Sequence, residues 1–245
     1  MNLNANYNRT VSEIVRGDYR TADVFKKYGI NYCCGGRISL EEACRQREVD
    51  LNSFIYDLEN ATRNIQLSNY IDYNNWSVDF LIDYIINIHH AYLSKTLPVL
   101  QTAILGFVNS HKKNHPEFED LMAVSENLSG LLMAHNTQEE EVIFPYIRQI
   151  SNTFRRKETY GSLFVKTLRK PLSSVERELV HIEEHLVILR NLTNNYQFPE
   201  SACTNHQVIF LKLKEFDNDI VHHKHLENNI LFPKAIELER QILQL

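Results

Sequence analysis

The sequence contains one pattern twice, as HNTQEEEVIFP at residues 135–145 and as HKHLENNILFP at residues 223–233. In each copy a histidine precedes a glutamate by four residues, and a Phe-Pro pair follows. Residues four apart lie on one face of a helix, so each copy directs an imidazole and a carboxylate the same way. Two such helices facing each other would offer two nitrogens and two oxygens to one site, an arrangement typical of metal binding.

The spacing of apolar residues in the rest of the chain around these motifs predicts long helices. Between residues 172 and 189, apolar side chains recur every three or four positions, which is the pattern of a helix packed in a bundle. No segment shows the alternation of a strand, and only 7 Gly and 6 Pro interrupt the 245 residues. We therefore predict an all-α fold that contains a four-helix bundle, with helices A to D at about residues 77–112, 117–150, 171–195 and 204–242.

A separate, small N-terminal helical domain is predicted at residues 1–66, ahead of the bundle at residues 76–245. The capping box Thr10-x-x-Glu13 opens the first of its short helices. Residues 65–75 have no sustained hydrophobic period and are interpreted as a linker. Each half of the bundle has a helix with a candidate histidine, a loop and a helix with the His-Glu pair, so we expect a site where the halves meet.

The helical register selects which of the 11 histidines face the bundle interior. In helix A, His90 lies in line with Ile86 and Leu93, whereas its neighbour His89 lies on a more mixed face. The other selected residues also continue the apolar lines of their helices. The candidate ligands are His90, His135, Glu139, His185, His223 and Glu227.

These four imidazoles and two carboxylates indicate a metal centre. A carboxylate buried among apolar residues is costly, and a bound cation removes that cost. Six side chains exceed the needs of one tetrahedral zinc and suit two metal ions bridged by Glu139 and Glu227, with iron or manganese favoured and zinc an alternative. The competing interpretation is a surface His-Glu ion pair, but the motif falls on the apolar face both times. The His-Glu-x-x-His pattern of zinc metalloproteases is missing.

Composition and charge narrow the choice of partners. The net charge of −5 gives no reason to expect binding to nucleic acid or to an anionic membrane. The polar start of the chain lacks a signal-peptide core and no long apolar run is evident, so a cytoplasmic protein is expected. Four cysteines are too few and too unevenly placed for a disulfide framework, and we expect them to be thiols.

Two of these thiols are adjacent, Cys33 and Cys34, and they precede Gly35-Gly36 between two short predicted helices. Adjacent side chains diverge, so the pair is a poor chelate for one metal, but the glycines allow close approach of a partner. The helix that begins near Ser39 would favour the thiolate form. We interpret the pair as thiols that receive iron, exchange electrons or dock a target. The competing interpretation is two small buried residues in a turn.

These residues resemble the hemerythrin-like di-iron bundles, and the two-domain layout resembles the family called repair of iron centres. Members of that family join a short N-terminal domain with a Tyr-Cys-Cys-Gly-Gly segment, here residues 32–36, to a hemerythrin-like bundle. The blocks EEEVIFP at 139–145 and LENNILFP at 226–233 are also similar to that family. The resemblance spans nearly the whole chain and includes all six candidate ligands.

The resemblance implies a non-haem centre of two iron ions, bridged by Glu139 and Glu227. It also implies that the protein repairs iron-sulfur clusters after nitrosative or oxidative stress, by donating an iron to damaged iron-sulfur cluster proteins. Nitric oxide or oxygen would be its small ligands, and a homodimer is the family-based expectation. Glu184 fits an acidic position that the family uses near its iron channel, while Leu131 stands where a second acidic residue would be.

Two other functions compete with repair. A di-iron nitric oxide reductase would use the same ligands, and it needs an electron source and open coordination positions. An oxygen or redox sensor would usually carry a signalling or DNA-binding module, and none is visible in the sequence. Cluster repair is therefore the leading hypothesis, with the reductase as its alternative.

Overall fold

Every regular element among the described residues of this computed structural model is a helix, which confirms the all-α prediction. One isolated bridge joins Thr10 to Ser39. The description covers residues 9–33, 36–63, 71–113, 115–157, 165 and 173–244, and side chains in the last segment from residue 180 on. Cys34, Gly35, most of the predicted linker and the start of predicted helix C lie outside it.

The chain forms two compact units that do not divide it at a single point. The first comprises Met1–Asn69 and Thr193–Lys214, and the second comprises Tyr70–Leu192 and Glu215–Leu245. The sequence analysis predicted one boundary, ahead of the bundle. That boundary stays a prediction. The segment Thr193–Lys214 belongs to the first compact unit, and its Val208 packs in that unit's core.

The described part of the N-terminal segment of the first unit contains four short helices: α1 Val11–Gly17, α2 Thr21–Lys27, α3 Leu40–Gln46 and α4 Leu51–Thr62. Helix α1 begins with the expected capping box, in which the backbone N–H of Glu13 donates to the Thr10 hydroxyl and the Thr10 N–H donates to the Glu13 carboxylate. Side-chain caps also begin α3 and α4. The rings of Phe25 and Phe54 pack at 5.1 Å in the core, so this small unit has its own apolar centre.

The second unit contains four long helical stretches, which correspond to predicted helices A to D. Its elements are α5 Val78–Tyr84, π1 Ile85–His90, α6 Ala91–His111, α7 Phe118–Gln138, π2 Glu139–Ile143, α8 Phe144–Arg156, α9 Ser173–Leu192, α10 Thr204–Leu226, π3 Glu227–Leu231 and α11 Phe232–Gln244. Of α10, residues 215–226 belong to this unit, and a short 3-10 turn, Tyr73–Asn75, precedes α5. Helix α7 packs along α6 and α9, while α8 packs along α11.

Three of the four stretches contain a wide π-helical turn. Ala91, Phe144 and Phe232 each donate a backbone N–H to the carbonyl oxygen five residues earlier. In two cases a proline follows at once, Pro145 and Pro233. Proline lacks an N–H and its ring crowds the carbonyl four residues before it, so a widened turn accommodates it within a continuing helix. Each π turn begins or ends at a candidate ligand.

One helical stretch is more apolar than the sequence analysis expected. Val78–His111 is long and apolar enough to cross a membrane, with a mean hydropathy of 1.2 in its most apolar window. The same stretch supplies Leu93, Ile104 and Phe107 to the bundle core. Its apolar character is therefore what a central helix of a bundle requires.

Hydrogen bonds to Ser12 hold Tyr32 and Gly36 against α1 in the first unit; residues 32–36 are called the Cys33 segment. The Ser12 hydroxyl donates to the Tyr32 carbonyl oxygen at 2.8 Å, and the Ser12 N–H donates to the Gly36 carbonyl oxygen at 2.9 Å. A Cβ atom at Gly36 would collide with the Ser12 hydroxyl and the Tyr32 carbonyl group. Glycine is required here because only its lack of a side chain permits this approach.

We predict that Gly36→Ala lowers the free energy of unfolding by roughly 1–3 kcal/mol, because the added methyl group overpacks against backbone atoms. Chemical denaturation followed by circular dichroism would measure the loss. Gly106→Ala is the control, since Gly106 lies exposed in α6 with open space around its Cβ position, and it should stabilise by about 0.5–1 kcal/mol. Equal stability of the Gly36→Ala protein and the wild type would contradict the assigned close approach.

Candidate metal centre

Four buried side chains converge inside the second unit. They are His90 at the end of π1, His223 in the last turn of α10, and Glu139 and Glu227 at the first positions of π2 and π3. Each offers one donor atom, and these four atoms all lie within 4.8 Å of one another. Both carboxylates have 0% exposure and both imidazoles at most 4%. We call these residues the four-donor group.

The distances within the four-donor group fit a shared cation. His90 Nε2 lies 3.1 Å from His223 Nε2 and 3.4 Å from Glu139 Oε2. His223 Nε2 lies 3.9 Å from Glu139 Oε2 and directly contacts Glu227 Oε1. Two donors bound to one ion at about 2.1 Å lie roughly 3.0–4.2 Å apart for bond angles between 90° and 180°. Most of these separations are therefore those of neighbouring metal ligands, and the residues fit a metal ion.

His135 lies against the same two carboxylates. Its side chain is 2% exposed, and its Nε2 is 3.6 Å from Glu139 Oε2 and 3.7 Å from Glu227 Oε2. It is not a member of the four-donor group. Five of the six predicted ligands are therefore brought together, with His135 adjoining the group across both carboxylates.

His185 is the predicted ligand that the structure does not bring to this group. It is half-buried on α9, and its Nδ1 lies 2.8 Å from the carbonyl oxygen of His181 one turn earlier. Its neighbour Glu184 is exposed, with Oε2 at 3.1 Å from His181 Nδ1. The roles of both residues stay predictions.

A carboxylate that the sequence analysis did not consider holds His90 in place. Glu140 Oε1 lies 2.7 Å from His90 Nδ1. With Glu140 ionised, Nδ1 carries the proton and donates it, which leaves Nε2 as the lone-pair nitrogen that faces the group. Histidine ligands of metals are typically oriented by such a partner, and this contact was not foreseen because Glu140 follows a ligand directly in the chain.

His89 was also missed. It is 2% exposed, its Nδ1 lies 2.9 Å from Asp219 Oδ1, and its ring stacks on that of His223 at 5.4 Å with an interplanar angle of 5°. Adjacent residues of an α-helix point about 100° apart, so the register favoured His90 alone. The wide turn π1 ends at this pair, and both imidazoles are buried. The sequence did contain a signal for a buried His89. Its partner Asp219 lies one helical turn before the candidate ligand His223.

The electrostatic surroundings of His90 and Glu227 favour the protonation states that bind a metal. Burial lowers the pKa of His90 to about 4, with His223 adding to the effect and the hydrogen bond to Glu140 opposing it. Burial alone would raise the pKa of the Glu227 carboxyl, but His223 and His135 hold it below its usual value. At neutral pH the His90 imidazole is therefore uncharged and Glu227 is ionised, as metal ligation requires.

The cysteine segment lies in the first unit. Cys33 is half-buried, and its backbone N–H donates to the Asn31 side-chain oxygen at 2.9 Å. Cys34 lies outside the described residues. Cys44, by contrast, is buried in the core of this unit, and burial raises the pKa of its thiol. Cys44 is thus a packing residue of this core.

Comparison with known families identifies both parts of the chain. Residues 81–235 match the hemerythrin HHE cation binding domain, and residues 7–62 match a domain of unknown function (DUF542). The first match includes the four-donor group, and the metal-binding role that its geometry indicates agrees with a cation-binding domain.

Similar proteins share both parts in one chain. An iron-sulfur cluster repair protein of Escherichia coli O157:H7 is 30% identical over 220 residues, covering 89% of this chain and 91% of the relative. One from Staphylococcus haemolyticus is 29% identical, covering 91% and 96%. A probable iron-sulfur cluster repair protein of Haemophilus influenzae is 28% identical, covering 87% and 90%. The chain therefore belongs to the family of iron-sulfur cluster repair proteins, in which a short N-terminal domain accompanies a hemerythrin HHE cation binding domain.

Proposed function

We propose that this protein restores damaged iron-sulfur clusters with iron held in the bundle of its second unit. The observation that carries the proposal is the four-donor group, which combines two buried carboxylates with two imidazoles in a domain of the cation-binding family. The relatives named as cluster repair proteins match this chain over most of both lengths. Iron is the cargo in this function, so the site must both bind the ion and give it up.

The donor chemistry suits iron. Imidazole and carboxylate together favour iron, manganese or zinc, and helical bundles with this set often hold two irons. The four-donor group and His135 include both proposed bridges, Glu139 and Glu227, whose negative charges would offset the charge of the cations. We propose His185 as the sixth ligand of a two-iron centre. The iron would supply the metal that a damaged cluster has lost.

The residues themselves have defined tasks. The carboxylates of Glu139 and Glu227 attract a cation into a dry site, where electrostatic attraction is stronger than in water. His90 presents a neutral nitrogen at neutral pH, and Glu140 keeps the His90 ring in its binding orientation. His223 offers a second imidazole nitrogen to the same group. Iron would therefore bind to the four-donor group with little rearrangement of these side chains.

Partners and location follow from the same function. We propose damaged iron-sulfur cluster proteins as the macromolecular partners, met in the cytoplasm, and a homodimer as the assembly. The Cys33 segment is the proposed docking or iron-receiving element, because Cys33 is only half-buried on a turn that the hydrogen bonds of Ser12 hold in place. Neither nucleic acid nor a membrane is required.

A nitric oxide reductase is the second candidate. The observation that favours it is the small number of protein donors, since an ion held by four of them retains open positions for a small ligand such as nitric oxide or oxygen. Nitrous oxide should form when the reduced, iron-loaded protein meets nitric oxide under this hypothesis. Absence of nitrous oxide in gas chromatography would reject it and leave repair as the function.

We predict that Glu227→Gln, which keeps the side-chain size, lowers iron content strongly after anaerobic loading, because the amide removes the charge of a proposed bridge. Inductively coupled plasma mass spectrometry would measure iron per chain, and circular dichroism would verify the fold. Glu126→Gln, at an exposed position of α7, is the control and should load as the wild type does. Unchanged iron in the Glu227→Gln protein would overturn the ligand assignment.

We predict that replacing Cys33 and Cys34 together by alanine leaves the iron content unchanged but slows repair of a cluster enzyme damaged by nitric oxide. The physical reason is that the pair belongs to the first unit, while the four-donor group belongs to the second. Recovery of the damaged enzyme's activity is the measurement, with Cys44→Ala as a control for loss of a thiol in the same unit. Equal recovery by the double variant and the wild type would show that the pair is structural.

A further inference from the structure

A line of aromatic rings runs outward from the four-donor group within the second unit. The ring of His89 stacks on that of His223 at 5.4 Å, and Tyr84 meets His89 edge-on at 5.7 Å. Tyr84 in turn meets Trp76 at 5.2 Å, and Trp76 meets Tyr73 at 4.8 Å. Every step is an aromatic contact of ordinary length. We call His89, Tyr84, Trp76 and Tyr73 the ring line.

The outer end of the ring line is open to small solutes. His89 is 2% exposed, whereas Tyr84, Trp76 and Tyr73 are each half-buried. Lys234 Nζ donates to the carbonyl oxygen of Trp76 at 2.6 Å and fixes this end. Trp76 also lines an open cavity of about 590 Å³, a volume in the range of small-molecule sites. A small solute therefore has access to the Trp76 ring.

The outer three rings are of the types that lose one electron most readily. A phenol or an indole that gives up an electron also releases its O–H or N–H proton and becomes a neutral radical, which a phenylalanine ring does not do under the same conditions. Burial raises the pKa of Tyr84 to about 12, and its hydrogen bond with Tyr73 adds to the effect. The phenol therefore keeps its proton at neutral pH until it is oxidised. Packing alone would be served equally well by phenylalanine.

Hydrogen peroxide creates a demand for an electron at the four-donor group. Its reduction to hydroxide and water takes two electrons. One iron(II) ion held by the group gives one of them and becomes iron(III), so the second must come from the protein when no other iron is present. The ring line offers an oxidisable side chain, Tyr84, two ring contacts away from His223.

We propose that the ring line supplies this second electron and so moves the oxidation from the buried ligands to Trp76. Hydrogen peroxide, iron(II) and the indole N–H of Trp76 give iron(III), hydroxide, water and a neutral indole radical. The O–O bond breaks, and the indole proton ends in the water. A small thiol in the cavity then returns a hydrogen atom to the indole, and two thiol radicals combine as one disulfide. This inference rests on the iron site of the proposed function.

The first test looks for the radical itself. Apoprotein loaded anaerobically with one iron(II) per chain is mixed with hydrogen peroxide, frozen and measured by electron paramagnetic resonance. Trp76 is the only tryptophan of the chain, so ring-deuterated tryptophan should narrow its signal, and iron-free protein should give none. Glutathione, as the thiol, should shorten the lifetime of the radical. Absence of any tryptophan radical in the iron-loaded protein would overturn the proposal.

The second test interrupts the ring line while it keeps the rings. Both tyrosines are replaced, because His222 contacts His89 at 5.1 Å and Tyr73 at 5.6 Å and so forms a second route. The protein with Tyr73→Phe and Tyr84→Phe should lose most of the oxidation of Trp76. Peptide mass spectrometry should find oxidised histidine at the centre instead. Equal oxidation of Trp76 in this variant and the wild type would overturn the ring line.

Tyr56→Phe is the control, since Tyr56 is 66% exposed on a helix of the first unit, and it should behave as the wild type does. Iron content and circular dichroism are measured on every sample. Bound iron without oxidation of Trp76 would overturn the ring line and leave the repair function standing. A Trp76 radical in a protein that restores no damaged cluster enzyme would overturn the repair function alone, and failure to bind iron would overturn both.

Discussion

The second unit depends on the burial of two carboxyl groups. Glu139 and Glu227 have no exposed surface, although a carboxylate removed from water without compensation loses several kcal/mol of stability. Imidazole nitrogens from their own and from other helical stretches lie beside them, and a cation would complete the compensation. The helical stretches that supply these groups therefore meet at one point inside the second unit.

Backbone geometry and ligand placement are linked at this point. Wide turns π2 and π3 each begin at a buried glutamate and end just before Phe-Pro, so the same short motif supplies a ligand and the local distortion next to it. A π turn shifts the phase of a helix by part of a turn, and the residues after it face a different direction. In π1 the result is a pair of adjacent buried histidines, one in the four-donor group and one that stacks against it.

The candidate ligands also have contacts with residues outside the four-donor group. His90 and His223 are held from behind through Glu140 and through the His89–Asp219 pair. The first unit has its own core of aromatic and aliphatic residues.

The sequence by itself determined the helical class, the approximate extent of the long helices and five of the converging side chains, because periodicity of 3.6 residues and the repeated His-x-x-x-Glu motif are local properties. It also indicated the family through the cysteine segment and the bundle motifs. Only the tertiary structure placed His89 inside, assigned Glu140 and Asp219 to imidazoles of other helices, left His185 outside the four-donor group, and joined Thr193–Lys214 to the first unit. These features depend on π turns that shift helical phase and on contacts between residues up to 189 positions apart, which local spacing does not encode.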